Sequence, residues 1–346
     1  MARRKVGIIG HFGGPENITD GQTVKTKILY TELLQATDWE ITIVDTYYKK
    51  KNPLKLAWDS IKCMVMTRDI IVLLSGNGMK LYFPILWCFA HFLKRRIYHD
   101  VIGGNLDNYV KQVPSFRKYL NSFQVNWVET KGLKKRLENV GVTNCEILPN
   151  FKRLNIVQTE SLKKLEQPYK LCTFSRVMKE KGIEDAITAV EILNLEYGNQ
   201  CCALDIYGLI DDGYKDTFDT LMSKTTEAIS YKGVVPFDKS AEVLKEYHAL
   251  LFPTFWMGEG FPGTIVDAFS SGLPVVASDW SSNAEIVENG ITGIIYPSLY
   301  ADNLVDAILY LINNANNYEA MRIRCLIEAK KYQPEGNIEK IKGRIE

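Results

Sequence analysis

Twelve short apolar runs punctuate this chain, and between them apolar positions fall at the three- and four-residue spacing of helices. In the first half the runs are KVGIIG, WEITIVD, DIIVLL, RRIYHD, VNWVET and CEILP. In the second they are YKLCTFS, CALDIYG, AISYKG, ALLFP, LPVVAS and GIIYP. Strands that are apolar throughout are buried on both faces, so the alternation predicts an α/β chain with parallel sheets covered by helices on each side. Ile183, Ala186, Ile187, Val190 and Leu193 form one helical stripe, and Leu304, Val305, Ile308, Leu309 and Ile312 another. Both read as core faces.

The pattern breaks near Leu148-Pro149-Asn150-Phe151, where a domain boundary is expected, with the polar segment to Pro168 as connector. This gives domains at 1–150 and 151–317, followed by a polar helical tail, 318–346, interrupted at Gln333-Pro334. The two halves share an architecture, without a short-period repeat or low-complexity segment.

Composition agrees with two domains: 346 residues, 46% hydrophobic and 24% charged, are enough for two cores of roughly 150 residues each. No apolar run reaches the roughly 18 residues of a membrane span, and MARRKVGIIGH runs into a strand without a signal-peptide pattern. Seven cysteines show no metal-ligand or C-x-x-C spacing and are expected to be reduced thiols of a cytoplasmic protein. Cys201 and Cys202 are expected to face opposite ways on one strand. Residues 1–150 carry 22 Lys and Arg against 13 Asp and Glu, and the rest 20 against 28, so the halves bear +9 and −8. Such asymmetry implies domains facing different partners. No basic helix or aromatic-basic platform points to nucleic acid.

The densest chemistry lies in 252–296. Glu259 and Asp267 stand eight positions apart across Gly260-Phe261-Pro262-Gly263-Thr264, a loop that opens a helix, and Pro274–Ser278 follows as a buried strand. Backbone N–H groups at helix starts bind phosphate oxygens, and loop carboxylates accept from sugar hydroxyls, so the stretch suits a polar, phosphorylated ligand. It resembles the nucleotide-sugar site of the family 4 retaining glycosyltransferases (glycosyl transferases group 1) of the bacterial polysaccharide-biosynthesis type. That family carries E-x7-E within E-G-F-[GP]; here the second acid is Asp267. The resemblance implies the GT-B fold, two Rossmann-like doubly wound domains facing across a cleft, with the tail crossing back to the first domain.

Other motifs can be weighed beside it. Gly13 and Gly14, in the loop after the first strand, are either a surface turn or a backbone approach to a ligand. Asp45 ends strand two as a ribose-binding acid of a dinucleotide site would. However, about ten residues separate Gly10 from the next helix, which argues against an NAD fingerprint. The resemblance implies that this loop approaches donor diphosphate and acceptor. His99 and Asp100 end RRIYHD at the carboxyl edge of the sheet; alone, His99 reads as a structural histidine, whereas the family places a donor-sugar contact there. Arg176 and Lys181 in FSRVMKEKG flank the loop after a strand. By themselves they are a solvated pair, but the R-x4-K-G frame matches the family's phosphate-binding pair, whose charge would stabilise a leaving diphosphate. Gly208 and Val234 close strands whose loops, in the family, approach the nucleotide. Glu285 after Ser281-Ser282-Asn283 reads equally as a helix-start acid or a ligand contact.

MKLYFPILWCFAHFLKRR, 79–96, has two readings: a buried helix, or a surface that meets a membrane or lipid-linked acceptor, which the basic first half favours. Taken together, the resemblance implies a metal-independent hexosyltransferase-like enzyme without cofactor. It implies a nucleotide-diphosphate sugar as donor and a glycan or polyprenyl-linked acceptor on the first domain. The site would lie in the cytoplasm or at the inner face of the membrane, and front-face displacement assisted by the leaving phosphate would retain configuration. Absence of any Asp-x-Asp agrees with metal independence. A GT-B sugar-nucleotide epimerase and a non-catalytic sugar-nucleotide-binding protein stay open as alternatives.

Overall fold

The structure, a computed structural model, describes residues 3–16, 20–162, 164–198, 201–236, 239–297 and 301–346. Residues 17–19 of the first Gly loop thus lie outside the described residues. The chain divides into two compact units, Met1–Lys152 with Pro334–Glu346, and Arg153–Gln333.

In the first unit, β1 (Lys5–Gly10), β2 (Glu40–Asp45), β3 (Asp69–Leu73), β4 (Arg96–Asp100), β5 (Val125–Val128) and β6 (Cys145–Ile147) form a parallel sheet in the order β2-β1-β3-β4-β5-β6. Successive residues of a strand face opposite sides. Val6 and Ile8 therefore pack with Leu29 and Leu33 of helix Gly21–Ala36, while Ile9 and Val72 pack with helices Pro53–Met66 and Gly76–Phe92.

The face carrying Val6 and Ile8 is completed by the last helix, Pro334–Ile345, through Ile338, Ile341 and Ile345. Each fully buried isoleucine contributes roughly 1.5–3 kcal/mol of transfer free energy. The helix end is held as well: Arg4 and Arg96 both donate to the Ile345 carbonyl, at 3.0 and 2.7 Å, and both pair with buried Asp69. Cations at the carbonyl end of a helix also complement its dipole. Only this helix belongs to the first unit, and 318–333 do not. Met321, Cys325 and Ala329 of helix Ala315–Ala329 are buried in the second unit's core, so the expected tail begins at Pro334 rather than 318.

The second unit holds β7 (Tyr169–Phe174), β8 (Cys202–Tyr207), β9 (Ile229–Gly233), β10 (Ala249–Phe252), β11 (Val275–Ser278) and β12 (Gly293–Tyr296), all parallel, in the order β12-β11-β10-β7-β8-β9. Leu171 and Leu251 face helices Ile183–Tyr197 and Ala301–Asn313, while Cys172 and Leu250 face helix Gly263–Ser270. The strand order reverses between β7 and β10. At such a reversal the following loops diverge and leave a crevice at the carboxyl edge.

All twelve apolar runs are strands, each bounded within two residues of its expected ends. Cys201 lies just before β8, so the expected strand pair is not formed; both thiols are buried in one core cluster.

Candidate active site

At the reversal in the second sheet, Gly182 brings the loops after β7 and β10 together. It adopts the left-handed conformation (φ 69°), and a Cβ there would lie 2.2 Å from the Pro253 carbonyl oxygen. Glycine alone permits this approach. The Phe255 N–H then donates to the Glu180 carbonyl (2.9 Å), and Lys181 reaches the second loop. Its Nζ lies 2.5 Å from Glu259 Oε2. The Thr254 hydroxyl is 2.9 Å from the same oxygen and 3.2 Å from the Glu180 carbonyl. Its single hydrogen goes to the carboxylate, the nearer and charged acceptor.

This ion pair is nearly enclosed, with Lys181 and Glu259 side chains 10% and 7% exposed. The Trp256 ring lies 4.8 Å from the ammonium, within cation–π range. From the loop after β11, Ser281 donates to the Glu259 carbonyl (2.9 Å) and Trp280 Nε1 to the Trp256 carbonyl (2.8 Å). Two loops therefore fix the Glu259 carboxylate and a third its backbone, while Oε1 has no hydrogen bond among the described residues.

Arg176 stands at the same edge but in solvent, 56% exposed and 3.9 Å from Asp211, a weak surface pair. The two expected phosphate-binding cations thus differ: one is open, the other already paired. Asp267 sits in the second turn of helix Gly263–Ser270 with its side chain buried, while Gly260, Gly263 and Thr264 are half-buried. Pro262 is the N-cap and is buried. The Phe261 ring packs in the core, 5.4 Å from the Tyr332 ring. Gly208 is pressed against β7, where a Cβ would lie 1.7 Å from the Ser175 carbonyl oxygen; Val234 is exposed. Glu285 is exposed on the four-residue helix Asn283–Ile286.

In the first unit, Asp45 accepts from the N–H groups of Phe12, Gly14 and Tyr47, at 2.8, 2.8 and 2.9 Å. The acid anchors the Gly loop, which accounts for its place at the end of β2 without a ribose. The Gly14 amide is consequently engaged within the protein, which leaves Gly13 as the loop's other glycine.

His99 lies deeper in the first unit. The ring is 0% exposed, wedged against Phe83 and Phe123, with Nδ1 3.0 Å from Asn126 Oδ1. Burial pulls its pKa down to about 4, so it is neutral. It is buried in this arrangement, and its Nε2 has no hydrogen-bond partner among the described residues. Beside it, Lys25 Nζ lies 2.7 Å from Asp100 and 2.9 Å from Glu129, all three buried. Burial pushes Asp100 up to about 6 against the pull of Lys25. Burial also opposes the Lys25 charge, but the two carboxylates outweigh it and hold its pKa above the ordinary value.

Thr254, Trp256 and Ser281 were not among the expected site residues. The visible signal was only position, at strand ends and next to Glu259, since their roles depend on which loops meet.

The family match falls on the same unit. Residues 157–325 match the glycosyl transferases group 1 family. The amylovoran biosynthesis glycosyltransferase AmsK of Erwinia amylovora is 26% identical over 178 residues, 50% of this chain and 42% of that protein. The GtfA subunit of a UDP-N-acetylglucosamine–peptide N-acetylglucosaminyltransferase of Streptococcus pneumoniae is 28% identical over 188 residues, 52% of this chain and 36% of that protein. The matched stretch thus spans less than half the length of these two curated relatives. Anabaena HepE, solved with UDP and glucose, superposes over 99% of both chains with a TM-score of 0.72 at 14% identity, a likeness of fold. With two doubly wound parallel sheets of the kind found in GT-B structures, and with this match, the stretch 157–325 belongs to the glycosyl transferases group 1 family, the family 4 glycosyltransferases of GT-B fold.

Proposed function

We propose that this protein is a retaining glycosyltransferase that moves a sugar from a nucleotide-diphosphate sugar to a glycan or polyprenyl-linked glycan in cell-surface polysaccharide assembly. The observation that carries it is the Lys181–Glu259–Thr254 constellation at the reversal of the second sheet, with Arg176 open at the same edge. UDP is the nucleotide favoured, because UDP sugars appear in the names of the GtfA relatives and UDP in the HepE structure.

The donor's diphosphate lies between Arg176 and Lys181, near the start of helix Ile183–Tyr197, whose N–H groups favour an anion. Because Glu259 already neutralises Lys181, the uncompensated charge comes chiefly from Arg176. As the glycosidic bond breaks, negative charge grows on the leaving phosphate and these donors stabilise it. Glu259 Oε1 accepts a sugar hydroxyl, while Lys181 and Thr254 hold Oε2. Asp267 accepts from the ribose, with Gly260, Gly263 and Thr264 around it and the loops at Gly208 and Val234 toward the base. The acceptor binds the first unit at the Gly13 loop, at the cytoplasmic face of the membrane. Two side-chain cations and no Asp-x-Asp make the reaction metal-independent.

The test is a thermal-shift screen of nucleotides and nucleotide sugars, followed by turnover with a lipid-linked or soluble glycan in excess chelator. Product anomers are assigned by NMR. A stabilised protein and a retained anomeric configuration are expected. Conversion of the donor without acceptor would identify an epimerase instead. Loss of turnover in chelator, restored by magnesium, would refute the diphosphate site.

A further inference from the structure

Helices Pro53–Met66 and Gly76–Phe92 cover one face of the first sheet, and each is apolar on its outer side as well as its inner one. On the first, Leu56, Ser60, Cys63 and Met64 are buried. Leu54, Trp58, Ile61 and Val65 repeat at helical spacing on the outside, with Leu54 83% and Trp58 68% exposed. On the second, Met79, Tyr82, Phe83 and Leu86 are buried. Leu81, Ile85, Cys88 and Phe92 repeat the same spacing outside, with Phe92 72% exposed.

The two helices are fastened side by side. Ser60 and Tyr82 hydroxyls are 2.8 Å apart, and Arg95 donates to the Met64 and Val65 carbonyls at the end of the first helix. The two stripes therefore belong to one face. A soluble surface rarely exposes a large contiguous apolar area without a partner.

Charge names the partner. Residues 49–68 carry six Lys and Arg against one acid, and 76–96 carry four against none. Lys62, Arg68 and Lys94 make no ion pair among the described residues. A cleft of about 370 Å³ at the end of helix Gly76–Phe92 is lined by His91, Lys94, Arg95 and Arg96 with Ser122 and Gln124. Apolar rows bordered by unpaired cations match an anionic lipid surface: hydrocarbon below, phosphate headgroups at the rim. A second protein would have to meet both rows and also supply acids to this rim.

We propose that this two-helix face docks the protein in the plane of an anionic bilayer, with Leu54, Trp58, Leu81 and Phe92 at the acyl boundary and Lys62, Arg68 and Lys94 at headgroup phosphates. It deepens the reading of a lipid-linked acceptor by naming the surface that meets the lipid. No helix of the described residues is long and apolar enough to cross a membrane, so the contact lies on the bilayer.

The experiment is flotation of the full chain with phosphatidylglycerol-containing vesicles and with phosphatidylcholine vesicles, across a salt series. Binding to the anionic vesicles is expected, with a blue shift in tryptophan emission that is lost in Trp58→Ser. Lys62→Glu and Lys94→Glu should each weaken binding about fivefold or more. A Trp58→Ser/Phe92→Ser variant should lose most binding while keeping its melting temperature and turnover on a soluble acceptor. Failure to float with anionic vesicles at low salt, or equal flotation of the double variant, would overturn the proposal. So would a dimer in light scattering that these substitutions dissolve, because a second copy would then occupy the face. Thermal shift with a nucleotide sugar, run without lipid, tests the transferase reading separately.

Discussion

Lys181 reaches Glu259 at 2.5 Å inside a nearly closed pocket, so the residue expected to meet phosphate already has a carboxylate partner. Removing one member leaves the other buried and uncompensated, which typically costs about 3–5 kcal/mol. Lys181→Met should therefore lower both turnover and stability. Adding Glu259→Gln should restore most of the stability and none of the turnover. A double-mutant cycle in denaturant midpoint and kcat checks this; full stability in Lys181→Met alone would show that the pair is not formed.

Arg176 should behave differently, being exposed and weakly paired with Asp211. Arg176→Ala should reduce turnover by about two to three orders of magnitude, the loss expected for a group facing developing charge, with no change in melting temperature. Near-normal kcat would remove Arg176 from the diphosphate site.

Asp267 is one methylene shorter than the family's glutamate, so in the proposed donor complex helix Gly263–Ser270 approaches the ribose by about 1.5 Å or a water bridges the gap. Asp267→Asn should raise the donor KM at nearly constant kcat, because ribose contacts act alike in ground and transition states. Glu259→Gln should lower kcat instead. Unchanged donor binding in both variants would dissociate these acids from the nucleotide sugar.

His99 and Asp100 give a pH signature of opposing signs. His99 is held down to about 4, so the unfolded chain binds the extra proton below its ordinary value and stability falls on acidification through that window. Asp100 is pushed up to about 6, so the native state binds the extra proton between its ordinary value and 6. Its contribution is present below that window and is lost as pH rises through it. Each contribution is on the order of 3 kcal/mol, and the two nearly cancel between about pH 4 and 6. Denaturant midpoints should thus be flat there for the parent, fall with rising pH in His99→Gln, and fall with lowering pH in Asp100→Asn. Identical profiles for all three would contradict both shifts.

The strands were legible because a parallel strand covered on both faces has to be apolar throughout, as DIIVL and ALLF are. The placing of Arg176, Lys181 and Gly182 at one sheet edge was legible, because they share a short frame after a strand. A side chain's surroundings were not legible where they come from distant segments. His99 does end a strand at the ligand edge, but Phe83 and Phe123, from a helix and a loop far away in sequence, fill the space around it. Phe261 sits within the E-G-F-P motif, yet its ring is claimed by Tyr332. Pairing of Lys181 with Glu259 depends on Gly182 nearly touching Pro253, which no spacing announces. Helix Pro53–Met66 shows the converse limit: apolarity on both sides of a helix does not distinguish a core from a face awaiting a partner.

The helix Pro334–Ile345 has a consequence for how the chain matures as it is made. Residues before 153 leave the ribosome with Ile8, Leu29 and Leu33 lacking part of their cover, because helix Pro334–Ile345 is translated only after the second unit. At ordinary elongation rates that interval is roughly 10–40 s. The second unit, continuous from 153 to 333, can close its core within its own stretch of synthesis. The usual order, amino-terminal domain first, is thereby inverted. A released chain truncated after Gln333 should hold a protease-resistant second unit and a protease-sensitive first one.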